Sequence, residues 1–386
     1  MSVPRIGVVI PLYNHGATVA DVARRALKYC PDIWIVDDGS TDHGADHLAA
    51  LPIRVVHLPV NGGKGKALLA GAAALEEAGM THMITLDADG QHYPEDLPVL
   101  MAAIADTPHA FVVGARDFSG NGIPASSRFG RSFSSFWMFV QTGQKVGDMQ
   151  SGYRAYPLAA LRCLRPRESR YSFEIEVLVQ AAWAGFAIRE VPVRVHYPPR
   201  DERVSHFRPF LDNLRITLLN TRLTIRALLP VPFRRHALDA EGKISLLSPL
   251  ASLRWLLQTA TPAQLALSAG ISMSICTLPL LGLQSILLLY AINALHLNRL
   301  CALAVVPLSW PPLVPGLCVL VGYRLRHGAW LTDFTVQTLG YEAGQRLWEW
   351  VLGSCVMAPL TGLVLTLLVG GMALGLATAC KRKSEI

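Results

Sequence analysis

Short β-branched runs alternate with stretches of helical period through the first half of the chain, and this alternation restricts the fold more than any other feature. RIGVVIPL, IWIVDDGS, IRVVHLP, HMITLDADG and AFVVGARD read as strands; GATVADVARRALKYC, LLAGAAALEEAG and PEDLPVLMAAIA read as helices between them. In the first of these helices Val19, Val22, Ala23, Ala26 and Leu27 recur at helical spacing. Strands separated by helices pair in parallel, so the pattern predicts an α/β domain with a mainly parallel, doubly wound sheet. Ligands of such sheets bind beyond the carboxyl ends of the strands. Those ends carry Asn14, Asp37 with Asp38, Asp87 with Asp89, and Arg116.

From about Leu246 the character changes, with long apolar runs and sparse charge. Residues 265–297, 300–321 and 351–379 each reach the roughly 20 residues that a spanning helix needs. We therefore expect an α/β domain over 1–210, a basic amphipathic linker over 211–245, and a helical transmembrane domain over 246–386. Pro279 with Gly282, and the later WPPLVPG, predict broken or re-entrant helices. The opening MSVPRIGVVIPLYN is too short an apolar run for a signal peptide, and we expect the first domain to remain in the cytoplasm. The final KRK leads us to expect the C-terminus there too. Three simple spans would put the two ends on opposite sides; a hairpin in the first region reconciles them.

The net charge of +7 suits nucleic acid, an anionic membrane surface or a phosphorylated substrate. Arginines gather just ahead of the apolar half, in RDERVSHFRPFLDNLRITLLNTRLTIR and PVPFRRH, where they would meet lipid headgroups. No nucleic-acid motif competes, and we expect no nucleic-acid partner. The 7 cysteines are scattered without a C-x-x-C pair, against a zinc site or disulfide framework.

The stretch ITLDADGQH sets Asp87 and Asp89 one residue apart at a strand exit, followed by Gln91. Such a turn could simply cap backbone amides. A second acidic turn, Asp37-Asp38-Gly39-Ser40, leaves another strand, and the pair favours a binding crevice. Closely spaced carboxylates with an amide oxygen suit a hard divalent ion, Mg²⁺ or Mn²⁺, which shares its remaining positions with water and substrate phosphates. NGGKGKAL is not a P-loop, because Val60 and Ala67 stand where Gly and Ser or Thr are required. Lys64 and Lys66 at a helix start could still meet phosphate through charge and free amides, or form a solvated basic turn.

PLYNHG, IVDDGSTD, GGKGKAL, LDADGQH, VVGAR and GDMQSGYRAY, in this order, resemble the family 2 glycosyltransferases, and within them the polyprenyl-phosphate sugar synthases, which make dolichyl-phosphate mannose and glucose. The resemblance implies a GT-A (Rossmann-like) fold, a nucleotide-diphosphate sugar donor, Mg²⁺ or Mn²⁺, and inversion at the sugar carbon. Carried over by motif, Pro11, Tyr13, Asn14, Asp37, Asp38, Lys64, Asp87, Ala88 and Arg116 surround the donor. Asp89 and Gln91 hold the metal, and Asp87, Asp89, Asp148 and Arg154 are the catalytic group, with a structural salt bridge as the alternative role of Arg154. Gln150, Ser151, Arg203, Ser205, His206 and Arg208 face the acceptor.

The chain departs from the family pattern at His15, where Glu is common, and at Arg203-Val204-Ser205-His206, where Gly-x-Ser-Lys is common. It carries no Q-x-x-R-W signature of processive synthases. A phosphate monoester is already ionised near neutrality and needs no base, which favours polyprenyl phosphate as acceptor. A lipid hydroxyl served by Asp148 remains an alternative. A non-catalytic sugar-nucleotide-binding transport or scaffold protein is another, and a sugar nucleotidyltransferase is weaker because PLYNHG is not a glycine- and arginine-rich phosphate loop. The apolar half resembles a bacterial membrane domain found with such transferases, matching at Gly270, Pro279, Gly282, Gln284 and Asn298. It would handle the lipid acceptor or act as an anchor. The expected setting is a bacterial inner membrane, multi-pass, with the α/β domain facing the cytoplasm.

Overall fold

The computed structural model describes residues 3–117, 125–197, 208–229, 260–280, 282–309, 313–332 and 343–384. Among these the chain forms two compact units, one ending at Leu223 and one beginning at Thr224.

The first unit follows the expected alternation: β1 (Ile6–Leu12), α1 (Gly16–Ala26), β2 (Ile33–Asp37), β3 (Arg54–His57), α2 (Lys64–Glu77), β4 (His82–Thr85), α3 (Leu97–Asp106) and β5 (Phe111–Arg116). It continues with α4 (Ala125–Thr142), β6 (Arg154–Pro157), α5 (Leu158–Leu164), α6 (Ser172–Trp183) and β7 (Ile188–Val193); α7 (Pro209–Leu228) runs from it into the second unit. The strands form one sheet in the order β3-β2-β1-β4-β6-β5-β7. All pairings are parallel except those of β6, which runs against both β4 and β5. This is the mainly parallel GT-A arrangement. Helices cover both faces, so alternate residues of one strand enter different cores. Val9 packs with Leu68, Leu75 and Phe173, while Val8 and Ile10 pack with Val19, Val22 and Leu100. Successive side chains of β1 are thus apolar throughout, which explains why RIGVVIPL lacks a polar alternation.

In the second unit, α8 (Pro262–Thr277), α9 (Gln284–Ala294), α10 (Arg299–Val305), α11 (Leu313–His327) and α12 (Ala343–Ser384) are short except for the last. The first apolar region breaks between α8 and α9, the stretch that holds Pro279 and Gly282, the latter at φ +94°. Among the described residues the third region alone forms a single helix long and apolar enough to cross a membrane, Gly344–Leu376, with mean hydropathy 2.1. Only 22 % of its most apolar stretch is buried by the rest of the protein, unlike the core helix of a soluble domain. Glycines let α12 touch its neighbours backbone to backbone. A Cβ on Gly270 of α8 would lie 1.8 Å from Thr366 Oγ1 and 2.7 Å from the Gly362 carbonyl of α12, and one on Gly322 of α11 would lie 1.8 Å from the Glu349 carbonyl.

Candidate active site

A crevice of about 640 Å³ opens at the carboxyl ends of β1, β2 and β4, where the parallel sheet leaves its strand exits. Of the residues expected around a donor, Pro11, Tyr13, Asn14, Asp38, Lys64, Asp87 and Ala88 line it, together with Asp89. The two loops behind β1 and β2 brace each other. Asn14 takes the left-handed conformation at φ 53°, its amide donates to Ser40 Oγ at 3.2 Å, and its Oδ1 accepts from the Thr41 amide at 2.8 Å. Asp38 accepts from the Gly62 and Gly63 amides, both at 2.7 Å, and so fixes the NGGK turn against the end of β2. Asp37 departs from the expectation. Its carboxylate accepts from the Ser40 amide at 2.9 Å and lies 3.2 Å from His57 Nδ1, and it is not among the lining residues.

The start of α2 also differs from expectation. The Gly65 and Lys66 amides donate to the Ser169 carbonyl at 2.8 and 3.3 Å, so they are not open to phosphate, and the Lys66 side chain is exposed. Lys64 instead turns inward as an ammonium between two acids, 2.6 Å from Asp87 and 2.9 Å from Glu174. Glu174 sits near the start of α6 and only 6 % of its side chain is exposed. Burial alone would discharge Lys64, but the Asp87 and Glu174 charges outweigh it and raise its pKa. Burial likewise opposes ionisation of Asp87, and Lys64 reverses the balance and holds that carboxyl below its usual range. Gly152 is required at this contact, because a Cβ there would fall 2.4 Å from Asp87 Oδ2 and 2.5 Å from Lys64 Nζ.

Asp89 has no such cation paired with it among the described residues. Burial first, and the Asp87 charge second, push its carboxyl up to about 6, although one of its oxygens accepts from the Gln91 amide at 2.9 Å. Two acids on one crevice wall, one of them left short of positive charge, fit a hard divalent ion that completes its shell with substrate oxygens. No group of three His, Cys, Asp or Glu side chains suited to a metal occurs among the described residues. Asp89 is the side chain that would hold the ion, with Asp87 beside it already paired with Lys64. Gln91 shares the loop but is not among the crevice-lining residues, and its carbonyl accepts from the His196 amide. His92 behind them is 3 % exposed with Nδ1 unpartnered, and burial lowers its pKa to about 4, which keeps it neutral.

The later motif residues are architectural rather than lining. Asp148 is fully buried and binds Arg116 in a two-pronged pair, Nε–Oδ2 2.7 Å and Nη2–Oδ1 2.9 Å. Burial works against its charge, and the guanidinium more than compensates, so its pKa is lowered. An acid held in this way is a poor base and a good anchor for Arg116. Arg154 makes neither a crevice contact nor the alternative salt bridge: fully buried, it donates to the carbonyls of Ser151, Glu174 and Met149 at 2.6 to 2.7 Å. Ser151 is buried beneath the Tyr153 amide and Gln150 donates to Ser134 Oγ. Arg203, Ser205 and His206 lie outside the described residues, whereas Arg208 reaches the crevice wall.

Glu174, Arg170 and Tyr171 were missed by the sequence reading, although the first pairs with Lys64 and the other two line the crevice. The only local hint is FEIE, which sets the acids Glu174 and Glu176 in a mostly apolar helix.

Residues 7–165 match the family described as Glycosyl transferase family 2. Over 202 residues the chain is 31 % identical to an undecaprenyl-phosphate mannosyltransferase of Micrococcus luteus, covering 49 % of this chain and 82 % of that one. It is also 31 % identical over 218 residues to a UDP-N-acetylglucosamine–dolichyl-phosphate N-acetylglucosaminyltransferase of Methanococcus voltae, covering 50 % and 86 %. A polyprenol monophosphomannose synthase of Mycolicibacterium smegmatis is 31 % identical over 204 residues, covering 48 % and 75 %.

Proposed function

Since the chain belongs to glycosyl transferase family 2 and is a glycosyltransferase, we propose that it moves one sugar from a nucleotide-diphosphate sugar to polyprenyl phosphate at a membrane, inverting the sugar carbon. The observation that carries this reading is the acid pair Asp87 and Asp89 on a crevice at the strand exits, with Lys64 neutralising one acid and the other left for a cation.

In this reading Tyr13 and Asp38, which line the crevice, take the nucleoside, and Asp87 and Asp89, which line it too, face the donor diphosphate. A Mg²⁺ or Mn²⁺ ion, when bound, supplies positive charge to the diphosphate as it departs. An acceptor phosphate oxygen attacks C1, the bond from C1 to the diphosphate oxygen breaks, and the nucleoside diphosphate leaves with the bonding pair. The acceptor is already ionised, so no proton has to be removed. That suits a site in which Asp148 is bound to Arg116. Arg170 and Arg208 both line the crevice wall and are the described arginines that can meet the incoming phosphate. The apolar helix Gly344–Leu376 supports attachment to the membrane that holds such a lipid.

The test is incorporation of radiolabelled sugar into organic-extractable lipid by membranes carrying the chain, with a panel of sugar nucleotides, added undecaprenyl phosphate and Mn²⁺ or Mg²⁺. Acid-labile labelled lipid, lost with EDTA and in Asp89→Ala, is expected. Acid-stable label would move the acceptor to a lipid hydroxyl, and nucleotide binding without label from any donor would remove the catalytic reading.

A further inference from the structure

Arg170 and Tyr171 stand on the crevice wall, yet the segment that carries them, residues 165–171 between α5 and α6, is neither helix nor strand. Bonds to its backbone hold it from two sides. On one side the Ser169 carbonyl accepts from the Gly65 and Lys66 amides at the start of α2. Glycines admit the segment there: a Cβ on Gly63 would fall 2.6 Å from the Ser169 carbonyl oxygen and 2.7 Å from Arg170 Cγ, and one on Gly65 would fall 2.9 Å from the Glu168 carbonyl oxygen. Lys64, which holds Asp87, lies between these two glycines. On the other side is Glu176, two residues beyond Glu174 and therefore on a different face of α6. It reaches back past the helix start, where its Oε2 accepts from the Arg167 and Glu168 amides at 2.7 and 2.8 Å.

Glu176 is buried, and its second oxygen is equally engaged. Oε1 accepts from Gln180 Nε2 at 3.1 Å and from Arg222 Nη2 of α7 at 2.6 Å. The same Arg222 nitrogen lies 3.3 Å from Glu168 Oε1, and Glu168 Oε2 accepts from Ser172 Oγ at 2.6 Å. One guanidinium nitrogen thus joins an acid of α6 to an acid of the segment itself. Arg222 is among the arginines expected at lipid headgroups, and the structure turns it toward protein carboxylates instead. Its neighbours Leu219 and Leu223 are buried in the same core as Phe173 and Val177, so α7 presents it from a fixed backbone. Removing the guanidinium leaves the buried Glu176 with neutral donors alone among the described residues, which weakens the carboxylate on which the Arg167 and Glu168 amides depend.

We propose that Arg222 is a positioning residue for the transfer reaction: through Glu176 and Glu168 it fixes residues 165–171, and with them Arg170 and Tyr171 at the crevice wall. This rests on the acceptor reading given above, in which Arg170 meets the incoming phosphate. Arg222 itself is not among the residues that line the crevice.

Amide hydrogen exchange and steady-state transfer, both on the full chain in detergent, test it together. In Arg222→Gln the Arg167 and Glu168 amides should exchange about tenfold faster, with the interiors of α2 and α6 unchanged. The KM for undecaprenyl phosphate should rise about tenfold with kcat within about twofold, the mark of a lost binding contact. Arg170→Gln should give the same split, and the double variant should be no worse than either single one, because both remove the same contact. Arg222→Lys should retain most of the wild-type behaviour, since one nitrogen serves both acids. Glu168→Gln, which breaks only the longer contact, should move both readouts the same way by a smaller factor. Unchanged exchange in Arg222→Gln, or a double variant whose KM effect is the product of the two single effects, overturns the proposal. A lowered melting point with KM unchanged also overturns it, in favour of a purely structural role. Wild type that transfers no label from any donor is instead the failure of the acceptor reading, and exchange then decides by itself whether Arg222 holds the segment.

Discussion

Gly152→Ala places a methyl group inside the acid and ammonium contact of the crevice. The added carbon would sit 2.4 Å from Asp87 Oδ2, 2.5 Å from Lys64 Nζ and 3.0 Å from Asp87 Cγ. An unstrained contact needs ~3.5–4.0 Å, so one or both groups must retreat by about 1 Å. Lys64 is the longer chain, yet it cannot move freely, because Glu174 holds it at 2.9 Å from the other side. Asp87 is short and leaves β4 on a fixed strand exit. Overpacking of this kind costs about 1–3 kcal/mol of stability. The effect on transfer should be larger, since a reacting geometry displaced by about 1 Å loses on the order of 10²-fold in rate. The assay is lipid-linked sugar formation at varied donor, alongside thermal unfolding of the same preparation. A folded Gly152→Ala protein with turnover and donor KM within about twofold of wild type would refute the reasoning that Asp87 and Lys64 act from these positions.

Lys64→Met removes the cation between two buried carboxylates and should destabilise by about 3–5 kcal/mol; Glu174→Gln in the same chain should restore part of that loss, as read from the midpoints of a double-mutant cycle. The Arg25 ion pair holds the Glu95 carboxyl down at about 2, through a two-pronged contact of 2.8 and 2.6 Å. Its contribution is therefore complete above the ordinary carboxylate pKa of ~4.3 and is lost as pH falls toward 2, so the midpoint difference between wild type and Glu95→Gln should shrink on going from pH 6 to pH 3. With 31 % of Glu95 exposed, solvent screening limits that difference to about 1 kcal/mol. Gly270→Ala should loosen α8 from α12 and lower the melting point in detergent, whereas Gly316→Ala, with nothing within 4 Å of the new carbon, should not.

The parallel half of the sheet and the acids at its exits were legible because both signals are local: β-branched runs set the strands, and polar turns mark their ends. What escaped was non-local. β6 is the four-residue run Arg154–Pro157, too short to show a period, and its direction is set by neighbours on either side rather than by its own residues. Arg154 reads as a functional cation in GYRAY because sequence cannot tell a guanidinium that faces substrate from one that collects buried carbonyls. Glu174 depends on Lys64, far earlier in the chain, and no pattern within α6 announces that pairing. In the second unit Pro279 and Gly282 foretold the break after α8, but three apolar regions of similar length gave one long helix and several short ones.

The antiparallel β6 also fixes an order of events during synthesis. β3, β2, β1 and β4 are complete once Thr85 has emerged, and they can pair through crossovers of ordinary length. β5 follows but has no place beside β4, because the strand between them is made only after α4. At ~5–20 residues per second the ribosome leaves the outer edge of β4 open for a few seconds. During that interval the nascent chain presents an unpaired apolar strand edge, the kind of surface on which chains aggregate.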